Sequence, residues 1–108
     1  MNETSLSRAI RDAVSRTGRA TLWRNNVGVD VMKGVAYGLG KGSADLVGFV
    51  HDTGRFFALE IKVARGVISD EQRTWVAFVN GRGGYAAVVR SIDESLAALD
   101  AASTVTNP

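Results

Sequence analysis

Two apolar runs lie close together near the middle of the chain: ADLVGFV (Ala44–Val50) and RFFALEIKV (Arg55–Val63), separated by HDTG (His51–Gly54). Their β-branched and aromatic content, with a short glycine-containing link, reads as an antiparallel hairpin. Successive strand side chains point to opposite faces, and here apolar residues occupy odd and even positions alike. Such a hairpin has no face fit for water, so the sheet containing it must be covered by helices on both sides. The chain has 108 residues, which leaves room for one core and one domain.

Beyond Arg55 at its start, the second run carries two charges that this picture has to accommodate. Glu60 and Lys62 share one face of the strand, while Leu59, Ile61 and Val63 take the other. A buried, unpaired carboxylate is costly. A Glu60–Lys62 pair on a partly exposed sheet edge is one way to carry it. The hairpin suggests a second. If the turn is centred between Asp52 and Thr53, opposed residue numbers sum to 105, and Asp45 faces Glu60. Directly opposed Cβ atoms are about 4.5–5.5 Å apart, and two like charges at that spacing inside an apolar sheet repel with little screening. A divalent cation held by both carboxylates removes the conflict. There is no cysteine and a single histidine, His51, in the hairpin turn. The donors are therefore oxygens, and the ion is a hard one, Mg²⁺ or Mn²⁺ rather than zinc. Two carboxylates, a hard cation and an adjacent lysine suit phosphodiester hydrolysis. The ion polarises a phosphoryl oxygen and acidifies a bound water, and Lys62 orients that water or stabilises the developing charge.

The flanking segments supply the helices. Residues 3–17 form an amphipathic helix with Leu6, Ile10, Ala13 and Val14 as its apolar stripe, Asn2 as N-cap and Gly18 as stop. Glu3 lies within about 60° of that stripe. It either faces inward, within reach of the metal, or complements the helix dipole. ATLWRN (Ala20–Asn25) reads as a strand, and the segment with glycines at 28, 34, 38, 40 and 42 as a long loop with at most a short extended piece. Ser69 and Gln72 open a second helix with capping-box spacing, ending at Gly81; YAAVV is a short strand. Ser91 and Glu94 repeat the box before a last helix over about 92–102, and 103–108 read as a frayed tail beyond a single domain of residues 1–102. Trp75, Phe78 and Val79 on the second helix read as core or dimer interface rather than as base-stacking residues.

Charge is unevenly placed. Residues 1–41 hold seven Lys/Arg against three Asp/Glu, whereas the remainder holds six against eight. A basic N-terminal third points to a polyanionic partner. No apolar segment resembles a secretory signal or approaches the ~20 residues of a membrane span. The expectation is a cytoplasmic protein with no membrane partner.

Four blocks in order, RNNVG (24–28), YGLGKGSADLVG (37–48), ALEIKVARGVISDEQ (58–72) and GGYAAVVRS (83–91), resemble the VRR-NUC family of the PD-(D/E)XK nuclease superfamily. The similarity runs over about residues 3–95. It implies an α/β fold: a small mixed sheet flanked by helices, with the α-β-β-β-α-β core of the restriction-endonuclease-like fold plus a C-terminal helix. It implies DNA cleavage dependent on Mg²⁺ or Mn²⁺, with Asp45, Glu60 and Lys62 as the catalytic set and the Ile61 carbonyl as a further metal ligand. Glu3 maps to the family's acidic residue of the first helix. Gln72 maps to its glutamine after the third strand, a residue that capping explains equally well. The superfamily's proline is absent; Gly42, Ser43 or Ala44 stands there, as the family allows. Arg24, Asn25 and Asn26 would lie near the DNA, although strand-end turn chemistry also accounts for them. Lys41, Ser43 and Arg65 complete the implied DNA-binding set, and Lys33 and Arg82 are loop cations with the same two readings. Small stand-alone members are similar to phage Holliday-junction resolvases, with roles in recombination and DNA repair, and larger relatives are Fanconi-associated structure-specific nucleases. The resemblance thus implies four-way junctions as substrate, a C₂ homodimer, and a bacterial or phage-infected cytoplasm.

Overall fold

A computed structural model describes residues 1–104. The chain runs α1 (Glu3–Arg16), β1 (Ala20–Arg24), β2 (Gly28–Asp30), β3 (Val35–Tyr37), β4 (Leu46–Val50), β5 (Phe56–Ile61), α2 (Asp70–Asn80), β6 (Tyr85–Val89) and α3 (Ile92–Ser103). The main sheet has the order β1-β4-β5-β6, antiparallel except for the parallel β5–β6 pair.

The β4–β5 register follows the expected pattern, with Leu46 opposite Leu59 and Phe49 opposite Phe56. Pairing then sorts the side chains by face. Leu22, Leu46, Val50, Phe57, Leu59, Ile61 and Val89 pack with Leu6, Ile10 and Val14 of α1 and with Ala98, Leu99 and Ala102 of α3. Ala58 and Ala86 point the other way, and Val79, Trp75 and Val76 of α2 cover them. Helices on both faces are what an all-apolar hairpin demands. At the centre of the sheet, a Cβ on Gly48 would overlap the Thr21 carbonyl. Any larger residue there would push β1 off β4.

The helix ends largely follow the cap chemistry. The Asn2 side chain accepts from Ser5 N–H, and Ser69 and Gln72 form a complete capping box on α2. On α3 only half of the box forms: Ser91 Oγ accepts from Glu94 N–H, but the Glu94 carboxylate accepts from Arg90 N–H instead. Ser103, expected in the tail, is the last residue of α3 and donates its hydroxyl to the Leu99 carbonyl at 2.7 Å. Residues 105–108 lie outside the described residues.

The glycine-spaced segment is more ordered than a loop. β2 and β3 form a separate two-stranded hairpin, with Gly28 opposite Tyr37 and Asp30 opposite Val35. Asp30 builds its turn, accepting from Met32 and Lys33 N–H with its carboxylate and from Gly34 N–H with its carbonyl. His51 ties the β4–β5 turn to β1 through Thr21 and to the α1–β1 connection through the Gly18 carbonyl. Val79 is buried in the core, whereas Phe78 is exposed with the Arg82 guanidinium 3.8 Å from its ring centroid.

Candidate active site

Extending the β4–β5 register one step beyond Leu46 and Leu59 sets Asp45 against Glu60. Asp45 sits at the entry to β4, and its Oδ2 accepts from the Ile61 N–H at 2.8 Å. That bond takes the place of ladder pairing and fixes the carboxylate against β5. Glu60 is 3% exposed, and its Oε2 accepts from Gln72 Nε2 at 3.3 Å. Gln72 therefore does two things: its Oε1 caps α2 by accepting from Ser69 N–H, and its amide nitrogen holds Glu60.

Burial raises the pKa of Glu60 from 4.5 to about 8, and the hydrogen bond and negative charge of Asp45 push it the same way. Lys62 pulls it down and Glu3 adds a smaller push upward. Near neutral pH Glu60 thus keeps its proton, as burial beside another acidic side chain demands.

Asp45 and Glu60 line a cleft of about 800 Å³. Its walls come from four places: the N-terminal half of α1, the end of β1 with Asn26 and Val27, the glycine turn at 41–43, and the first turn of α2. Gly42 has φ +87°, and a Cβ there would come 2.7 Å from the Glu71 backbone, so only glycine lets this turn lie against α2. Lys41 bridges the same gap to Glu71 at 3.4 Å.

Of the residues singled out in the sequence, Glu3, Arg24, Asn25, Asn26, Lys41, Ser43, Asp45, Glu60, Ile61 and Gln72 line this cleft, whereas Lys62 and Arg65 do not. Lys62 is half-buried one residue past β5, and its charge is felt at Glu60. Asn25 has a task within the chain: its Nδ2 donates to Ser43 Oγ at 2.8 Å and the Ala44 carbonyl at 2.9 Å, and its Oδ1 accepts from Leu39 N–H. Ser43 Oγ in turn donates to the Gly40 carbonyl at 2.6 Å. Asn25 and Ser43 thereby hold the glycine turn that delivers Asp45.

Arg8 and Arg11 line the cleft too, with Thr4 and Ser7. They lie off the apolar stripe of α1 and form no ion pair among the described residues. Their signal was the 4-8-11 spacing, which sets Thr4, Arg8 and Arg11 on one face of α1.

The donor set fits a hard divalent cation: two adjoining carboxylates that cannot both ionise comfortably, with the Ile61 main chain beside them. Among the described residues no three His, Cys, Asp or Glu side chains cluster closely enough to hold a metal. Glu3 stands on the cleft wall rather than within the pair. No helix among the described residues is long and apolar enough to cross a membrane.

Comparison with known proteins adds one match. The family model of the VRR-NUC domain fits residues 4–93. No curated protein is a significant match.

Proposed function

Because the chain belongs to the VRR-NUC family, within the PD-(D/E)XK nucleases, we propose that it is a structure-specific endodeoxyribonuclease that cuts branched DNA, four-way junctions above all. The observation that carries this reading is the Asp45–Glu60 pair on the wall of a cleft edged with arginines. PD-(D/E)XK nucleases are generally dependent on a divalent metal, and Mg²⁺ or Mn²⁺ suits these oxygen donors. Asp45, Glu60 and the Ile61 carbonyl would hold the ion, with Glu3 close by. When bound it would neutralise the carboxylates and polarise the scissile phosphate.

The residues of the chain supply the remainder. The Ile61 N–H orients Asp45, and Gln72 orients Glu60. Lys62 presents a positive charge beside Glu60 and stabilises negative charge building on the phosphate. Water attacks phosphorus in line and the bond to the 3′ oxygen breaks, leaving 5′-phosphate and 3′-hydroxyl ends. Arg8, Arg11, Arg24, Asn26 and Lys41 would line the path of the DNA strand, and Arg65, exposed outside the cleft, would add a phosphate contact beyond it. Asn25 and Ser43 act on DNA through the turn they hold.

Symmetric cutting of a junction needs two such sites, hence a C₂ homodimer. Supporting it are the apolar side chains that the β2–β3 turn leaves in solvent, Val31 at 89% and Met32 at 94% exposure. The proposed setting is recombination or repair in the cytoplasm of a bacterium or a phage-infected cell.

The test is cleavage of four-way junction, flap, linear duplex and single-stranded DNA with Mg²⁺, Mn²⁺ or EDTA, alongside Lys62→Ala and a light-scattering mass. Symmetric, metal-dependent nicking lost in the variant establishes the resolvase. Even cutting of every substrate makes it a less selective nickase, and no cutting by folded protein makes it a DNA-binding module. With Ca²⁺ in place of the catalytic ion, Arg8→Ala and Arg11→Ala should each weaken junction binding by about tenfold. Each should also lower the salt slope by about 1. Unchanged affinity in both would move the DNA path away from α1.

A further inference from the structure

Arg90, next to last in the block GGYAAVVRS, has no part in the cleft, and it holds the backbone just beyond Lys62. β5 and β6 run parallel, with Ile61 beside Val89, and the Lys62 N–H donates to the Val89 carbonyl at 3.1 Å. The chain then leaves the sheet in a turn, closed by a bond from Gly66 N–H to the Val63 carbonyl at 2.7 Å. Ala64 in that turn has φ +38°, the one non-glycine residue with positive φ among the described residues. An L-residue held there is strained, so the turn needs an outside hold. Arg90 supplies it: Nη1 donates to the Ala64 carbonyl at 3.1 Å and Nη2 to the Gly66 carbonyl at 2.9 Å. The Glu94 carboxylate accepts from the Arg90 backbone N–H at 3.1 Å, joining this clamp to the first turn of α3.

The turn also bears on the lysine itself. A Cβ added to Gly66 would stand 3.3 Å from Lys62 Cδ and 3.5 Å from its Cβ, so the aliphatic stem of Lys62 lies along Gly66. The guanidinium fixes two carbonyls, the carbonyls fix the strained turn, and the turn fixes the lysine stem. From this geometry we infer that Arg90 is a positioning residue, holding the Lys62 ammonium in register with the Asp45–Glu60 pair. The inference rests on the nuclease reading for what Lys62 does, but not for whether Lys62 is held. A planar fork reaches each carbonyl with a separate nitrogen; the single ammonium nitrogen of a lysine at position 90 does not reproduce that geometry, whatever its charge.

Two measurements decide it. Acylation of lysines followed by mass spectrometry should show Lys62 reacting several-fold faster in Arg90→Ala and Arg90→Lys than in the native chain, with Lys33 and Lys41 as unchanged internal controls. Equal Lys62 reactivity in all three proteins overturns the inference, whether or not the protein cuts DNA. Single-turnover cleavage then asks about function. Arg90→Ala and Arg90→Lys should each slow cleavage about 10- to 100-fold, as small misplacements of a reacting group do, with junction affinity in Ca²⁺ unchanged. On a Lys62→Ala background the same Arg90→Ala change should alter the rate by less than about twofold, because the residue it acts through is gone. Full multiplication of the two losses would mean that Arg90 acts elsewhere and would overturn the positioning role. Native-level cleavage by Lys62→Ala itself would instead remove Lys62 from the mechanism, leaving the labelling result to stand on its own.

Discussion

Asp45→Asn is expected to lower the cleavage rate by about 10³-fold while the protein stays folded. Asparagine keeps the size of the side chain, and its Oδ1 can still accept from the Ile61 N–H that Asp45 uses. Its amide can donate to the neighbouring Glu60, so the variant keeps a hydrogen bond across the pair. Thermal melting without added metal should therefore show no loss of stability. The charge needed to hold a divalent cation is halved, and calorimetry should find Mn²⁺ uptake abolished. Cleavage within tenfold of the native rate, by protein that still takes up Mn²⁺, would sink the assignment of Asp45. The sharper comparison is with Lys62→Ala, which should lose rate while still taking up the ion.

The pair was visible in the sequence because two simple periodicities meet there. Alternation placed Glu60 on one face of its strand, and a four-residue link of ordinary hairpin length set the register that brought Asp45 opposite it. The need for helices on both faces followed from the same alternation. What stayed hidden depended on contacts between segments far apart in sequence. Nothing local in RNNVG distinguishes an Asn25 that touches DNA from one whose amide holds Ser43 and Ala44, eighteen and nineteen residues on. Arg90 donates across more than twenty residues to carbonyls of a turn, and carbonyls carry no sequence signal. The β2–β3 hairpin was masked by its glycines, which lower strand propensity, while the device that closes it, Asp30 accepting from residues two and three positions on, is a turn motif found in many loops. Arg8 and Arg11 could have been found: they share a helix face with Thr4, and the nearby Asp12 pairs with Arg16 instead.

Glu60 makes a second large effect expected, this time on stability. In metal-free protein its carboxyl stays protonated up to a pH of about 8, because burial and the adjoining Asp45 oppose its charge, whereas its ordinary value is 4.5. Below pH 4.5 the folded and unfolded chains both carry this proton, and its contribution to stability is fully present. Between 4.5 and 8 the unfolded chain gives the proton up and the folded chain keeps it, so stability falls steadily as pH rises; above 8 the loss is complete. Its size should be about 2–4 kcal/mol, allowing for relaxation around the buried charge. Glu60→Gln is neutral at every pH, and its amide can donate to Asp45 while its carbonyl accepts from Gln72. In EDTA the variant should match the native chain near pH 5 and exceed it in stability near pH 9, the difference between the two curves isolating this one group from all others that titrate. Mn²⁺ should close or reverse the gap, because it stabilises only the chain that can bind it, and its uptake near pH 7 should release close to one proton. Urea melts from pH 5 to 9 measure all of this. Curves that run parallel over that range would mean that Glu60 is ionised throughout, and the forced pairing with Asp45 that underlies the metal site would then be wrong.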